Sequence, residues 1–250
     1  KTPVFKSDLE TVRPECSASQ PPRVQVTGYG PLRKMMHGTN SNSWEKKTIG
    51  NIVSTVASDL DSITPENAKT KLARVFQEDQ SDYQFVRSLA NKYGFEFFES
   101  LGNGVFRPKQ GGSSPADPVV ELYYGESLES FSAEMKPPEH GTVEVRAWDK
   151  ATGKTIVESA SNKKGTGTRV YHIPVNSKAE AKQIATAKLG SLQIEGTGET
   201  FGIPSVVAGT VVTLNGLGSK FSNDYYITRA THRMGESGYR TSFEGTGLDV

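Results

Sequence analysis

The chain has 250 residues, of which 34% are hydrophobic and 23% charged, with a formal net charge of +1 at pH 7. A chain of this length can bury a core as one large β-domain or two smaller ones without disulfides or metals. Cys16 is the single cysteine, which excludes an internal disulfide. The near-neutral, interspersed charge gives no basic footprint for nucleic acid and no attraction to anionic lipid, so we expect protein partners.

The sequence contains no apolar stretch of bilayer length. The longest apolar-rich segment, around residues 206–214, is much shorter than the roughly 20 residues that a spanning helix needs. No basic segment followed by an apolar one resembles a signal peptide. We therefore expect synthesis in a cytoplasm and no membrane anchor. We also expect a chain cut from a longer one near both ends.

Proline and glycine residues separate the first predicted elements. The opening through Pro22 reads as an extended arm or as strands without partners. Residues 23–28 alternate as a strand, and residues 28–31 break it. Thr48 is placed to cap a short helix whose apolar stripe predicts core positions. That stripe consists of Ile49, Ile52, Val53, Val56 and Leu60.

A second helix is predicted from Ser81, which can act as N-cap with Gln84 closing a capping box. Its apolar positions recur at helical spacing, and Gly94 is placed for a left-handed C-terminal cap. A hairpin follows, with residues 95–98 and 105–106 as strands around Gly102-Asn-Gly104. The predicted core positions of the helix are Phe85, Val86, Leu89, Ala90 and Tyr93.

The best internal boundary is the Gly/Ser/Pro-rich segment 109–118. It predicts two domains, residues 1–112 and 113–250, the first of them N-terminally incomplete. Each half shows strands interrupted by a helix, which makes a pair of related β-domains plausible. The expected fold class is mainly β with a few short helices (α+β).

In the second half, residues 142–148 and 154–160 alternate as the strands of a hairpin. One face of the first strand carries valines, whereas the other places Trp148 among charges. Trp148 is thus a candidate interface anchor, with a covered sheet face as the alternative. Ser177 and Glu180 predict the start of a further helix that ends near Gly190.

Three further strands complete the chain. The predicted strands are residues 206–214, 225–234 and 239–244, with a turn at residues 235–238. Tyr225 and Tyr226, in the second of these strands, join Trp148 as candidate interface aromatics.

No catalytic, cofactor-binding or metal site is expected. His37, His140, His172 and His232 are far apart and form no metal-binding pair. Gly165-Thr-Gly167 and Gly196-Thr-Gly198 lack the spacing of a dinucleotide fingerprint, so both are interpreted as turns. Carboxylates are plentiful, and a glycosidase needs only two at a defined separation, so this chemistry stays open.

An ordered set of segments resembles the phage late control D family, the baseplate hub proteins of contractile tails. No single segment is specific, but together they cover about nine-tenths of the chain. They are residues 25–32, 47–53, 79–98, 126–131, 142–149, 177–185, 226–232 and 238–244.

The resemblance implies two β-barrel-like domains per subunit and a homotrimeric ring that joins the tail tube to the central spike. It implies a structural role without enzymatic activity or cofactor. It also implies synthesis in the bacterial host cytoplasm and a location in the tail baseplate of a phage, a prophage or a phage-derived injection particle. The same fold occurs in the front part of type VI secretion spike proteins. A fragment of such a spike protein, or a particle-associated peptidoglycan or glycan hydrolase, is the alternative.

Overall fold

The fold is taken from a computed structural model. It describes residues 3–109, 116–149, 152–162, 164–190, 193–236 and 238–248. The chain divides into two compact units. The smaller unit comprises Phe5–Asn91 and Phe95–Arg107, and the larger unit comprises Pro108–Val250 with Lys1–Val4 and Lys92–Gly94. The domain boundary predicted between residues 112 and 113 lies outside the described residues and stays a prediction.

In the smaller unit, the strands form two ribbons and one three-stranded sheet. Strand β1 pairs with β2, β3 pairs with β5, and the third sheet has the order β4-β7-β6. The elements are β1 (Asp8–Ser17), β2 (Gln20–Tyr29), a 3-10 helix (Pro31–Met36), β3 (Asn40–Thr48), α1 (Ile49–Val56), β4 (Ser62–Ile63), β5 (Lys71–Gln80), α2 (Asp82–Tyr93), β6 (Phe95–Ser100) and β7 (Asn103–Pro108).

The first predicted helix is confirmed. Thr48 Oγ1 accepts a hydrogen bond from the backbone N–H of Asn51 at 3.2 Å, which satisfies one of the free donors at the start of α1. The predicted apolar stripe is buried throughout, including Leu60, which lies beyond the end of the helix. Helical periodicity therefore identified the core face correctly.

The second predicted helix is confirmed as well. Both hydrogen bonds of its predicted capping box form. Phe85 is 2% exposed and stacks on Trp44, with ring centroids 5.0 Å apart. Gly94 ends the helix with φ of 79°, a left-handed conformation that glycine adopts without a Cβ penalty.

The predicted hairpin after this helix is also present. Strands β6 and β7 lie side by side, and the turn between them uses Leu101 and Gly102, both with positive φ. The turn therefore lies earlier than predicted, because Asn103 and Gly104 already belong to β7. Phe95 and Phe106 stack across the pair with centroids 4.9 Å apart, and both are buried. Aromatic packing between neighbouring strands thus holds this small sheet.

The larger unit contains a six-stranded half-barrel and a three-stranded sheet. The half-barrel has the order β8-β14-β15-β16-β13-β9, and the smaller sheet the order β11-β10-β12. The elements are β8 (Val120–Tyr123), β9 (Leu128–Lys136), β10 (Thr142–Asp149), β11 (Lys154–Ser161), β12 (Thr168–His172), α3 (Lys178–Lys188), β13 (Gln193–Phe201), β14 (Val211–Asn215), β15 (Asn223–Gly235) and β16 (Gly238–Gly247). Of the described residues, 53% are in strands and 16% in helices, so the expected mainly β class is confirmed.

The core of the half-barrel forms between its inward-facing side chains. Tyr225 lies at its centre, fully buried, with the ring of Phe131 edge-on at a centroid distance of 5.2 Å. This apolar burial is the main stabilising contribution of the sheet. The buried members are Leu122, Leu128, Ile194, Val206, Val212, Leu214, Tyr225, Ile227 and Phe243.

The predicted β10–β11 hairpin is confirmed, with Val143 opposite Ala160. Its apolar face is buried.

Helix α3 belongs to the same unit. At its start, Ser177 Oγ accepts a hydrogen bond from the N–H of Glu180 at 3.1 Å, as predicted for an N-cap. The carboxylate of Glu180 accepts from the N–H of Asn176 at 2.9 Å, one residue earlier than a capping box requires.

The strand predicted over residues 206–214 is wrong in its first half. Val206 and Thr210 lie in tight turns. The N–H of Val206 donates to the carbonyl of Ile203, and the N–H of Thr210 donates to the carbonyl of Val207. Gly209 has φ of 89°, which breaks extended geometry. The strand begins only at Val211, since an apolar run by itself does not distinguish a buried turn from a strand.

The turn predicted at Gly196-Thr-Gly198 is also wrong. Both glycines lie in the middle of β13, pairing with Ala133 and Phe243 on the neighbouring strands. A Cβ at either glycine would lie 2.4 Å from the Cζ of a phenylalanine, Phe131 for Gly196 and Phe243 for Gly198. The glycines therefore leave room for two aromatic rings within the sheet.

Candidate assembly surfaces

The four histidines do not converge. His37 and His172 are exposed. Among the described residues, no group of three or more His, Cys, Asp or Glu side chains could hold a metal ion. Cys16 is a free, exposed thiol.

His232 is the one histidine with a defined hydrogen-bond environment in the described part of the chain. Its Nδ1 lies 2.9 Å from Tyr239 Oη and 3.1 Å from Thr241 Oγ1. Thr241 Oγ1 already accepts from the N–H of Ile203, so its own proton is available to Nδ1. Burial lowers the pKa of His232, and the nearby backbone of Val206 opposes this shift. The arrangement favours a neutral, structural imidazole.

A groove of about 530 Å³ lies on the surface of the half-barrel where β9, β13, β15 and β16 adjoin. Glu134, Glu195 and Glu244 contribute carboxylates to it. Lys136 Nζ lies 2.5 Å from Glu195 and 3.7 Å from Glu134, and Arg229 lies 3.1 Å from Glu244. Each carboxylate therefore has a cationic neighbour, as is typical of a solvated sheet face.

The β1–β2 ribbon carries an extended exposed apolar face. Val12 lies opposite Val26, and Pro14 opposite Val24, so these four side chains share one side of the ribbon. The exposed fractions are 60% for Val12, 63% for Val24 and 56% for Val26. A two-stranded ribbon is only marginally stable by itself, and an uncovered apolar face of this kind marks an interaction surface.

Sequence analysis missed this surface. The alternation at residues 23–28 indicated a strand with one apolar face, but periodicity cannot show whether that face is covered. Phe5, Leu9 and Tyr29, also exposed, extend the apolar character of the same region.

The half-barrel has two edge strands, β8 and β9. Strand β8 is only four residues long and follows Pro118, both of which discourage pairing with another chain. Strand β9 has nine residues and no proline. Leu128, at its start, forms an isolated bridge with Tyr124. From Ser130 to Lys136, no strand pairs with its outer edge within the described residues.

Trp148 lies on the open face of the three-stranded sheet, with 62% of its surface exposed. Arg146 and Val157 lie on the same face, whereas Val143 and Val145 are buried on the other. Its interface role remains a prediction, and its ring is available to a partner.

Tyr225 and Tyr226 are 0% and 6% exposed. Tyr225 Oη donates to the carbonyl of Phe221 at 3.0 Å, and burial raises the pKa of Tyr225 to about 12. Because both rings are buried within the single chain, this burial counts against an interface role for the two tyrosines. Inward-facing strand aromatics and exposed ones look alike when only the sequence is read.

No helix in the described ranges is both long and apolar enough to cross a membrane.

The fold is that of phage tail proteins. A tail protein from Neisseria meningitidis MC58 is 14% identical with a TM-score of 0.70, over 97% of this chain and 80% of that one. The 43 kDa tail protein of prophage MuSo2 from Shewanella oneidensis is 13% identical with a TM-score of 0.65, over 96% and 79%. An Escherichia coli type VI secretion component is 13% identical with a TM-score of 0.58, over 95% and 58%.

The family model for the phage tail baseplate hub (GPD) matches residues 15–238. The chain therefore belongs to the phage tail baseplate hub family, and it associates with other tail components. No curated protein sequence matches it. The predicted family and its structural likeness to a type VI secretion protein are confirmed.

Proposed function

We propose that this protein is a purely structural hub whose copies form a homotrimeric ring between the tail tube and the central spike. The match to the baseplate hub family over most of the chain is the observation that carries this proposal. The uncovered apolar ribbon and the free β9 edge support it, since both are surfaces suited to other protein chains.

The symmetry is the physical core of the proposal. Each copy contributes two units, so three copies would offer six docking surfaces while the ring keeps exact threefold symmetry. Such an arrangement suits a sixfold tube on one side and a threefold spike on the other. Assembly from chains made in the host cytoplasm would follow, in which Trp148 is the proposed interface aromatic.

Deleting the gene from the genome that encodes the particle tests the hub role. We expect tail tubes that lack baseplate and spike when purified particles are imaged, and restoration of both on complementation. Complete, infective tails in the deletion strain would contradict the proposal.

A catalytic role is tested separately with the purified chain on peptidoglycan. We expect no turnover. Measurable turnover that Glu134→Gln or Glu195→Gln abolishes would support the hydrolase alternative, because these are two of the carboxylates in the groove.

A further inference from the structure

We propose that strand β2 of one copy pairs antiparallel with the edge strand β9 of a second copy, with Arg23 opposite Glu134. This inference rests on the proposed ring of copies and identifies the contact that would close it. It combines two features that each lack a partner in the described part of the single chain: the β9 edge from Ser130 to Lys136 and the apolar face of the β1–β2 ribbon.

Strand β9 is an unguarded edge from Ser130 to Lys136, beyond the bridge of Leu128 to Tyr124. Natural sheets usually protect their edges with short strands, prolines or bulges, because free N–H and C=O groups pair with other chains. From Ser130 to Lys136 the strand is regularly paired with β13 on one side, and its only irregularity lies before this stretch. On its core side, Met135 is 37% exposed, so a further strand would also cover apolar surface.

Strand β2 is the better of the two strands in the ribbon for such a contact. In β1, Pro14 removes an N–H donor in mid-strand. In β2, the prolines are confined to the start, and residues 23–29 contain none. Arg23 is exposed, and its side chain has no ion pair or hydrogen bond within the described residues.

One antiparallel register matches both faces of the two strands. With Arg23 opposite Glu134, the next positions place Val24 opposite Ala133 and Gln25 opposite Ser132. Val26 then falls opposite Phe131, so apolar side chains meet on the core side. A shift by one residue would set apolar against polar side chains along the whole contact.

The charges agree with the same register. Directly opposite residues of unlike charge stabilise an antiparallel pair, and like charges destabilise it. Glu134 is exposed, and its nearest cation, Lys136, bonds more closely to Glu195. Arg23 of a neighbouring copy would neutralise the carboxylate of Glu134 more fully.

The contact joins two different surfaces, so it is heterologous. Heterologous contacts close into a ring when the rotation between copies permits it, and each copy then uses one β2 and one β9. The half-barrel of one copy would continue into the ribbon of the next, with the apolar side of the ribbon continuing the core side of the sheet.

Disulfide capture tests the register directly. Chains with Ser132→Cys are mixed with size-tagged chains with Gln25→Cys, all in a Cys16→Ala background, and then oxidised. We expect a linked pair of tagged and untagged chains, because opposite residues of neighbouring strands have Cα atoms about 5 Å apart. The control replaces Gln25→Cys by Arg13→Cys. Arg13 lies opposite Gln25 on β1, one strand further from β9, and about 10 Å is too far for a disulfide.

Charge reversal gives an independent readout. Glu134→Arg or Arg23→Glu alone is expected to raise the trimer dissociation constant about tenfold, since the contact repeats around the ring. The double variant is expected to restore it, and thermal unfolding confirms that each variant folds. A trimer that forms without the Ser132–Gln25 disulfide overturns the pairing and leaves the ring intact. A chain that stays monomeric overturns the ring and the pairing together.

Discussion

Ser81 and Gln84 exchange two hydrogen bonds at the start of α2. The N–H of Gln84 donates to Ser81 Oγ, and the N–H of Ser81 donates to Gln84 Oε1, both at 3.2 Å. The first turn of a helix has donors without partners inside the helix, and this pair satisfies two of them. The helix so begun buries Phe85 and its neighbours in the core.

Ser81→Ala is expected to lower the free energy of unfolding by about 1 kcal/mol, because it removes the N-cap acceptor. Urea unfolding measures the change. Ser81→Asp serves as the matched control, since aspartate also caps helices and should retain most of the stability. Equal stability of Ser81→Ala and the unchanged protein would show that the cap contributes nothing.

Gly196→Ala is expected to destabilise the half-barrel by about 1–3 kcal/mol, through overpacking. A Cβ there would lie 2.4 Å from Phe131 Cζ, and that ring is held edge-on against Tyr225. Gly235→Ala is the control, because no atom lies within 4 Å of a Cβ at that glycine and its φ is not positive. If both variants unfold at the same temperature as the unchanged protein, the close packing of Phe131 on Gly196 is wrong.

Trp148→Ala is expected to change the free energy of unfolding by no more than about 0.5 kcal/mol, because the ring is 62% exposed. It is expected to weaken assembly if the ring anchors an interface. Trp44→Ala is the comparison. Trp44 stacks on Phe85, and its removal should cost about 2–4 kcal/mol. Sedimentation and thermal unfolding of both variants distinguish the roles, and a large loss of stability in Trp148→Ala would assign that residue to the core.

The free energy of unfolding is expected to decrease as the pH is lowered, because His232 becomes protonated. Burial lowers the pKa of this imidazole in the folded state, so the unfolded chain binds its proton at higher pH. The stability is fully present above the ordinary histidine pKa of about 6.5. It is lost progressively as the pH falls from there through the lowered folded-state pKa.

His232→Gln should flatten this part of the pH profile, whereas His172→Gln, at an exposed site, should not. Urea midpoints of the three proteins between pH 7.5 and 5 provide the measurement. An unchanged slope in His232→Gln would rule out His232 as the source of the pH dependence.

Local signals identified much of the fold from the sequence. The caps at Thr48, Ser81 and Ser177 and the helical stripes following them were predicted correctly, since capping and periodicity depend on residues close in the chain. The β10–β11 hairpin was predicted for the same reason. Gly196 and Gly198 were misread as a turn, because their role depends on Phe131 and Phe243, which are distant in sequence.

The surfaces were harder to predict than the elements. Strand alternation places Val24 and Val26 on one face, but only the fold shows that no other segment among the described residues covers that face. The same limit explains why Tyr225 was considered together with Trp148. Both are strand aromatics, and only the assembled sheet shows that one is buried and the other exposed.

The native mass of the purified chain across a concentration series tests the central claim most directly. Three copies of 27.1 kDa give a ring of about 81 kDa. The account predicts that this species forms as the concentration rises, or when the spike protein of the same particle is added. A constant mass of one chain under both conditions would contradict the proposed ring.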